Sequence, residues 1–294
     1  MLTHILSTIS PIALIALLGY VWSYNNLSYD GRFISQLVMN IASPCLILVT
    51  LLRVELAPEH LWRLSLVTLS GLAVMLLLNT AILRIKGWPI RSYLSALTFA
   101  NTGNMGIPIA MFAFGEYALA LALVVFMVTS LVHFTLGVAV VGGHHPFKAL
   151  FQSPVFYAAT LSVVMLVNQW QLPKGLFNAI ELLGNLAIPL MLFSLGVSLQ
   201  SIRIHAMGRS VALALVRLVV GAGTGFFVSW VFDLSGLEAG VVILLFSMPS
   251  AVFNYLLAVN YRRQPEDVAG VVVISTLLSL VTLPALLWVL LERS

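Results

Sequence analysis

Polar residues punctuate this chain rather than alternate with apolar ones. Short polar breaks stand at Asn25-Asn26, Glu55 to Glu59, Arg84-Ile85-Lys86-Gly87, Gly142 to Pro146, Gln171 to Lys174 and Arg262 to Asp267. Between breaks the sequence stays apolar for about twenty residues at a time, the length a helix needs to cross about 30 Å of hydrocarbon. No water inside a bilayer satisfies backbone N–H and C=O groups, so a span is either a helix or a strand of a closed barrel. These runs lack the period of two that a barrel strand requires. The pattern therefore predicts ten transmembrane helices, near residues 3–23, 33–52, 61–83, 92–114, 117–140, 150–169, 175–199, 210–231, 239–259 and 267–291. The first run opens at Met1-Leu2-Thr3-His4, without the basic leader of a cleaved signal peptide, and is expected to be retained.

One short pattern recurs inside two of these runs. Asn40-Ile41-Ala42-Ser43-Pro44 returns 145 positions later as Asn185-Leu186-Ala187-Ile188-Pro189. Five spans separate the copies, and an odd number of crossings inverts the second half. The predicted fold class is an all-α membrane protein of ten transmembrane helices in two inverted five-helix repeats, residues 1–143 and 144–294.

In such a duplication the fourth and ninth spans correspond, and both are interrupted. The fourth reads Asn101-Thr102-Gly103-Asn104-Met105-Gly106-Ile107-Pro108; the ninth carries Met248-Pro249-Ser250-Ala251 and then Asn254. Proline removes a backbone donor and clashes with the preceding turn, and glycine costs about 1 kcal/mol against alanine inside a helix. Paired interruptions in two inverted halves point to a transporter site near the midplane, because unwound backbone must face protein or a watery cavity. The amino end of each half-helix also favours an anion. Asn101, Thr102, Gly103, Asn104, Pro108, Pro249, Ser250 and Asn254 are accordingly the candidate substrate-binding residues. The other explanation is a pair of ordinary kinks, which membrane helices tolerate. Asn40, Pro44, Asn185 and Pro189 are expected to support the site from partner helices, the prolines as kinks and the asparagines either by interhelical hydrogen bonds or by touching substrate.

Composition fixes the solvent. Of 294 residues 61% are hydrophobic and 8% charged, where a soluble domain carries about 25% charged residues. The net charge of +4 is scattered over loops without the basic stripe that nucleic acid binding needs. Its distribution sets orientation instead. Arg53, Arg63, Lys174 and Arg293 lie on the amino-terminal side, against Arg32, Arg84, Lys86, Arg91, Lys148, Arg203, Arg209, Arg262 and Arg263 opposite. Basic residues accumulate on the cytoplasmic side, so four against nine puts both termini outside. The single Cys45 excludes an internal disulfide and a thiolate metal cluster, and no cofactor or metal is expected.

Ionisable residues within spans are few and costly to bury. Arg217, midway along the eighth span, can pair with a carboxylate substrate or serve the structure alone. Glu181 and His133 can carry protons or bond to neighbouring helices. His144 and His145, in the inner loop, read as solvated. The six tryptophans fall near span ends, as an interfacial belt does. Motifs for a metalloprotease, a nucleophile elbow or a phosphate-binding loop are absent from the sequence, so no enzymatic activity and no built-in ATP drive are expected.

Asn101 to Pro108 followed by Phe114-Gly115 resembles the fourth-helix signature of the auxin efflux carrier family. Ile188-Pro189-Leu190, Leu195-Gly196-Val197-Ser198-Leu199, Met248 to Ala251 through Ala258 and Tyr261, and the stretch from Val272 to Pro284 are similar to its bacterial members. The resemblance implies a scaffold, a mobile transport part and a crossover of the broken fourth and ninth helices. Asn101 matches the crossover asparagine and Pro249 the proline of the second break. Family members move organic anions, auxin in plants and malonate, malate or related carboxylates in bacteria. The inner loop here has about ten residues around His144 and His145 instead of the long loop of many plant members, which fits a prokaryotic permease. The expectation is a secondary carrier of the bacterial inner membrane that moves a small organic anion by alternating access, with H+ or Na+ as candidate coupling ions and a homodimer as a compatible assembly. The alternatives are a sodium-coupled bile-acid-like symporter and a membrane sensor that does not transport.

Overall fold

The structure is a computed structural model that describes residues 2–54, 57–142, 151–201 and 207–293. His144, His145, Lys148, Arg203 and the boundary between the predicted repeats at 143/144 lie outside the described residues. Within them the chain is helical apart from turns, breaks and one isolated bridge. The helices are α1 (Leu2–Tyr24), α2 (Gly31–Val54), α3 (Pro58–Ile85), α4 (Ile90–Thr98), α5 (a wide first turn Thr102–Gly106 continued by Ile107–Phe114), α6 (Glu116–Val141) and α7 (Pro154–Val167). They continue as α8 (Lys174–Gly184), α9 (Ala187–Ser201), α10 (Met207–Val231), α11 (Gly236–Phe246), α12 (Val252–Asn260) and α13 (Pro265–Arg293).

Six of the described helical runs are long and apolar enough to cross a membrane: Gly31–Val54, Glu59–Ile85, Glu116–Val141, Lys174–Gln200, Gly208–Val231 and Pro265–Leu291. Ser10–Tyr24, Pro154–Val167 and Gly236–Phe246 are shorter apolar helices. Their outward faces are hydrocarbon: Leu14, Leu17 and Leu18 on α1, Leu77 and Leu78 on α3, Leu280 and Val281 on α13 are all exposed. Faces of that kind are stable against lipid and not against water, so the chain is an integral membrane protein.

Helix packing sorts the elements into two groups. In one, α1 lies along α9, and α2 packs on α7 and α8. In the other, α10 packs on α13, α11 and α3, while α3 also contacts α4 and α6. The groups meet where α1 touches α5, where α9 touches the Thr102–Gly106 turn and where α2 touches α6.

The recurring Asn-x-Ala-x-Pro pattern joins elements of the first group. Its alanines, Ala42 and Ala187, have no exposed surface. Beside the second copy, Gly184 sits against the backbone of Cys45 and Leu46, where a Cβ atom would approach Leu46 N to 2.9 Å. The prolines act differently in the two copies. Pro44 lacks an N–H and crowds the turn before it, and α2 absorbs the mismatch as a wide turn over Val38–Ala42 without breaking. The seventh span, expected as a kinked helix, runs over Lys174–Gln200 with a turn at Asn185 and Leu186, where Pro189 interrupts the hydrogen-bond ladder. Asn40, Asn185 and Pro189 are exposed and Pro44 half-buried.

Candidate functional site

The two interrupted spans meet. After α4 ends at Thr98 the chain is extended at Phe99 and Ala100, and after α11 it is extended from Pro249 to Ala251. Ala100 and Ser250 pair as an antiparallel bridge: Asn101 N–H donates to the Pro249 carbonyl (2.8 Å) and Ala251 N–H to the Phe99 carbonyl (3.1 Å). Four half-helix ends converge here, the carboxyl ends of α4 and α11 and the amino ends of α5 and α12. Pairing the unwound strands with each other is how a buried segment without helical hydrogen bonds avoids orphaned backbone groups.

The carboxyl ends are satisfied by protein. Arg217 of α10 is fully buried, and its guanidinium faces them. Nη1 donates to the carbonyls of Leu97 (2.9 Å) and Thr98 (3.3 Å), Nη2 to those of Phe246 (2.8 Å) and Met248 (3.0 Å), and Nε to that of Met248 (3.2 Å). Asn79 Nδ2 adds a second bond to the Leu97 carbonyl (3.2 Å). The close approach of α10 depends on Gly221, one turn after Arg217, since a Cβ there would collide with the Phe246 carbonyl oxygen and stand 3.2 Å from Arg217 Nη2. The hydrogen bonds of Arg217 go to backbone carbonyls and the Met75 sulfur, so in this structure it serves the helix ends, the structural one of the two roles considered for it.

Asn254 braces the bridge from α12. Its Nδ2 donates to the Phe99 carbonyl (3.0 Å) and to Ser250 Oγ (3.2 Å), while its Oδ1 accepts from Ser95 Oγ (2.8 Å) and lies 2.9 Å from His133 Nε2. A carbonyl only accepts, so Phe99 fixes which way the amide points, and Asn254 Oδ1 then requires a proton on His133 Nε2. The His133 ring stacks on Phe99 (centroids 4.1 Å apart, planes at 8°) and meets Phe253 edge-on. Ser250 N–H donates to Ser275 Oγ of α13 (3.1 Å). Asn254 and Ser250 are thus part of the frame. His133 is hydrogen-bonded to that frame through Asn254.

The amino end of α5 is different. Asn101 precedes it and is 4% exposed, and its Nδ2 has no hydrogen-bond partner. The first N–H groups of any helix lack intrahelical acceptors, and here Thr102 is buried while Gly103 and Asn104 are half-buried. Pro108 is buried two residues past the wide Thr102–Gly106 turn, which absorbs its missing N–H as the Val38–Ala42 turn does for Pro44. Beside this end a small cavity of about 10 Å³, room for about one water, is lined by Thr98, Thr102, Thr129 and Arg217 together with apolar side chains. Taking the bridge as the centre, Asn104 falls opposite Asn254 and Asn101 opposite Ala251. One side of the junction is closed by its own hydrogen bonds; the other keeps free donors.

Glu181 lies elsewhere. It pairs with Arg53 of α2, which also stacks over Phe177, at the rim where Trp170 is exposed. Among the described residues no group of three His, Cys, Asp or Glu side chains is placed to hold a metal ion. Ser95, Asn79, Phe99 and Ser275 were not singled out from sequence. Ser275, Thr276 and Ser279 form a buried polar stripe in an otherwise apolar helix, a signal that was available; Ser95 and Phe99 carry none in one dimension.

Membrane helices interrupted in pairs and joined at their interruptions are an arrangement that many transporters use at their binding sites. Residues 143–287 match the family described as membrane transport protein, in keeping with the auxin efflux carriers that the motifs resemble. It is 28% identical over 299 residues to an uncharacterized transporter of Methanothermobacter thermautotrophicus, covering 96% of both chains. A second uncharacterized transporter, from Methanocaldococcus jannaschii, is 25% identical over 89% of this chain and 90% of its own. A Rhizobium meliloti protein that carries a provisional designation as a malonate transporter is 23% identical over 65% of this chain and 64% of its own.

Proposed function

We propose that the protein is a secondary carrier for a small organic anion and that the anion is held at the amino end of α5, by Asn101, Asn104 and the backbone N–H groups of the Thr102–Gly106 turn. The observation that carries this reading is the buried, unpartnered Nδ2 of Asn101 at a helix amino terminus. An orphaned buried donor costs about 1–3 kcal/mol, and a bound carboxylate removes that cost where the helix end also favours negative charge. The designation of one relative for malonate supports a carboxylate.

The reading extends to mechanism. Ten spans in two inverted repeats place the junction near mid-membrane, and the group built on α3, α4, α6, α10, α11 and α13 carries it past the group built on α1, α2 and α7 to α9, exposing the anion to each side in turn. The drive is an ion gradient, a counter-solute or the membrane potential. The location proposed is a bacterial inner membrane, with both termini outside.

The test is a carboxylate screen on purified protein by thermal shift, with pH and sodium varied, followed by flux of the hits in reconstituted vesicles. Asn101→Ala is expected to lower affinity at least about 10-fold, which is about 1.4 kcal/mol. Binding without flux would make the protein a sensor, and unchanged binding and flux in both Asn101→Ala and Pro249→Ala would remove the junction as the site.

A further inference from the structure

The two kinds of half-helix end at the junction differ in their electrostatic company. A helix carboxyl end carries about half a negative charge and an amino end about half a positive charge. The carboxyl ends of α4 and α11 therefore bring about one negative charge together, and Arg217 stands on both. None of the ion pairs among the described residues includes Arg217. Its partners are backbone carbonyls and the Met75 sulfur. Arginine stays protonated throughout the physiological range, so its single charge cancels the two carboxyl ends. The amino ends of α5 and α12 are left with about one positive charge between them. On the Asn101, Asn104 and Asn254 side of the junction the hydrogen bonds among the described residues include one ionisable side chain, His133, whose Nε2–H donates to Asn254 Oδ1; as a neutral imidazole it adds no charge to this sum.

We propose that Arg217 fixes the charge of the transported solute without touching it: by neutralising the carboxyl ends it leaves the junction matched to one negative charge, so that the solute is accepted as a monoanion. Without that cation the four ends sum to nearly zero, and an anion gains nothing over a neutral molecule of the same shape. A dianion brings a charge that no group at the junction offsets, and desolvating it is correspondingly costly. Arg217 is thus a positioning and charge-setting residue. The inference rests on the reading of the junction as the solute site and adds to it the charge that the solute carries.

Three probes of similar size separate the charge states: monomethyl malonate, a fixed monoanion near neutral pH; malonate, which passes from monoanion to dianion as pH rises; and neutral malonamide. Binding is measured by thermal shift and by competition for flux in vesicles, from about pH 5 to about pH 8, on wild-type protein and on Arg217→Gln and Arg217→Lys. In wild type the ester is expected to bind equally well across the range and at least about 10-fold better than malonamide, while malonate weakens as it gains its second charge. Arg217→Gln is expected to bring ester and amide within about 3-fold of each other, and Arg217→Lys to keep most of the difference. Malonate binding undiminished at the upper pH, or a folded Arg217→Gln protein with its ester preference intact, overturns the inference while the junction stands as the site. Failure of all three probes to bind wild type overturns the reading of the junction as a carboxylate site and this inference with it. The pH series on wild type decides alone where Arg217→Gln does not fold.

Discussion

Asn101 and Asn254 are asparagines of the two breaks, yet their surroundings assign them opposite tasks. Asn254 makes four hydrogen bonds, and truncating it leaves the Phe99 carbonyl, Ser95 and His133 short of partners in a buried site. Each such loss costs about 1–3 kcal/mol. Asn254→Ala should therefore lower the melting temperature of the detergent-solubilised protein clearly. Asn101→Ala should leave it unchanged or raise it slightly, because the Nδ2 it removes has no partner to lose. The same two variants should reverse in a ligand-binding assay scored as affinity per folded molecule. There Asn101→Ala loses affinity, and Asn254→Ala keeps it to the extent that the bridge survives. Sequence picked out both residues by their place in a broken apolar run and did not separate them, since whether an amide is saturated depends on Ser95 and His133, which come from other parts of the chain. Arg217 shows the same limit. Its rarity in a membrane span was legible, whereas its use on the Leu97, Thr98, Phe246 and Met248 carbonyls depends on where two other helices end.

Helix positions were the most legible layer, because apolar length and breaker residues act locally. Proline and glycine interrupted the fourth and ninth spans as expected, and what could not be read was the manner of each interruption. Pro44 and Pro189 occupy like places in a repeated pattern, but one helix absorbs its proline in a wide turn and the other kinks at a two-residue turn over Asn185 and Leu186. Close packing decides between such outcomes. On the α2 and α8 pair, Gly184 allows the backbones to touch beside Cys45 and Leu46, and on the α10 and α11 pair Gly221 does the same beside Phe246. Overpacking a close contact costs about 1–3 kcal/mol, so Gly184→Leu and Gly221→Leu should both destabilise. Their consequences should differ. Gly221→Leu displaces the Phe246 carbonyl from Arg217 and should lose ligand binding together with stability. Gly184→Leu meets the Cys45 and Leu46 backbone and none of the carbonyls that Arg217 holds, and should leave equilibrium affinity within about 2-fold of wild type in protein that remains folded, the size of effect expected of sites without shared partners. Ligand-induced thermal shift in the two variants makes the comparison.

For the whole molecule, the distribution of charge over the loops makes a claim that helix packing alone does not. Lys and Arg fall nine to four in favour of the side opposite the amino terminus, and such residues are retained in the cytoplasm during insertion. The proposed orientation has the breaks at Asn25-Asn26 and at Arg262 to Gln264 facing inward and the turn between α10 and α11, with Asp233 and Ser235, facing outward. Arg63 ties that outer turn to α3 by donating to the Phe232 and Asp233 carbonyls at 2.8 and 3.0 Å, and Glu238 lies beside His60 of the same helix. On the opposite side Arg209 and Tyr93 bind Asp267, so the group of helices that bears the junction is pinned at both membrane faces. In the proposed carrier a group held together at both ends is expected to move as one body, and its loops should change accessibility without changing sides. With Cys45 replaced by serine, Ser28→Cys is expected to react with a membrane-impermeant thiol reagent only in inside-out vesicles, and Ser235→Cys only in right-side-out vesicles or intact cells. The opposite labelling would reverse the orientation, and labelling of both positions from one side would remove the odd number of crossings between them. That second outcome would also end the inverted repeat, because the junction of α4 with α11 brings like ends together from opposite directions only if the two halves enter the membrane from opposite sides.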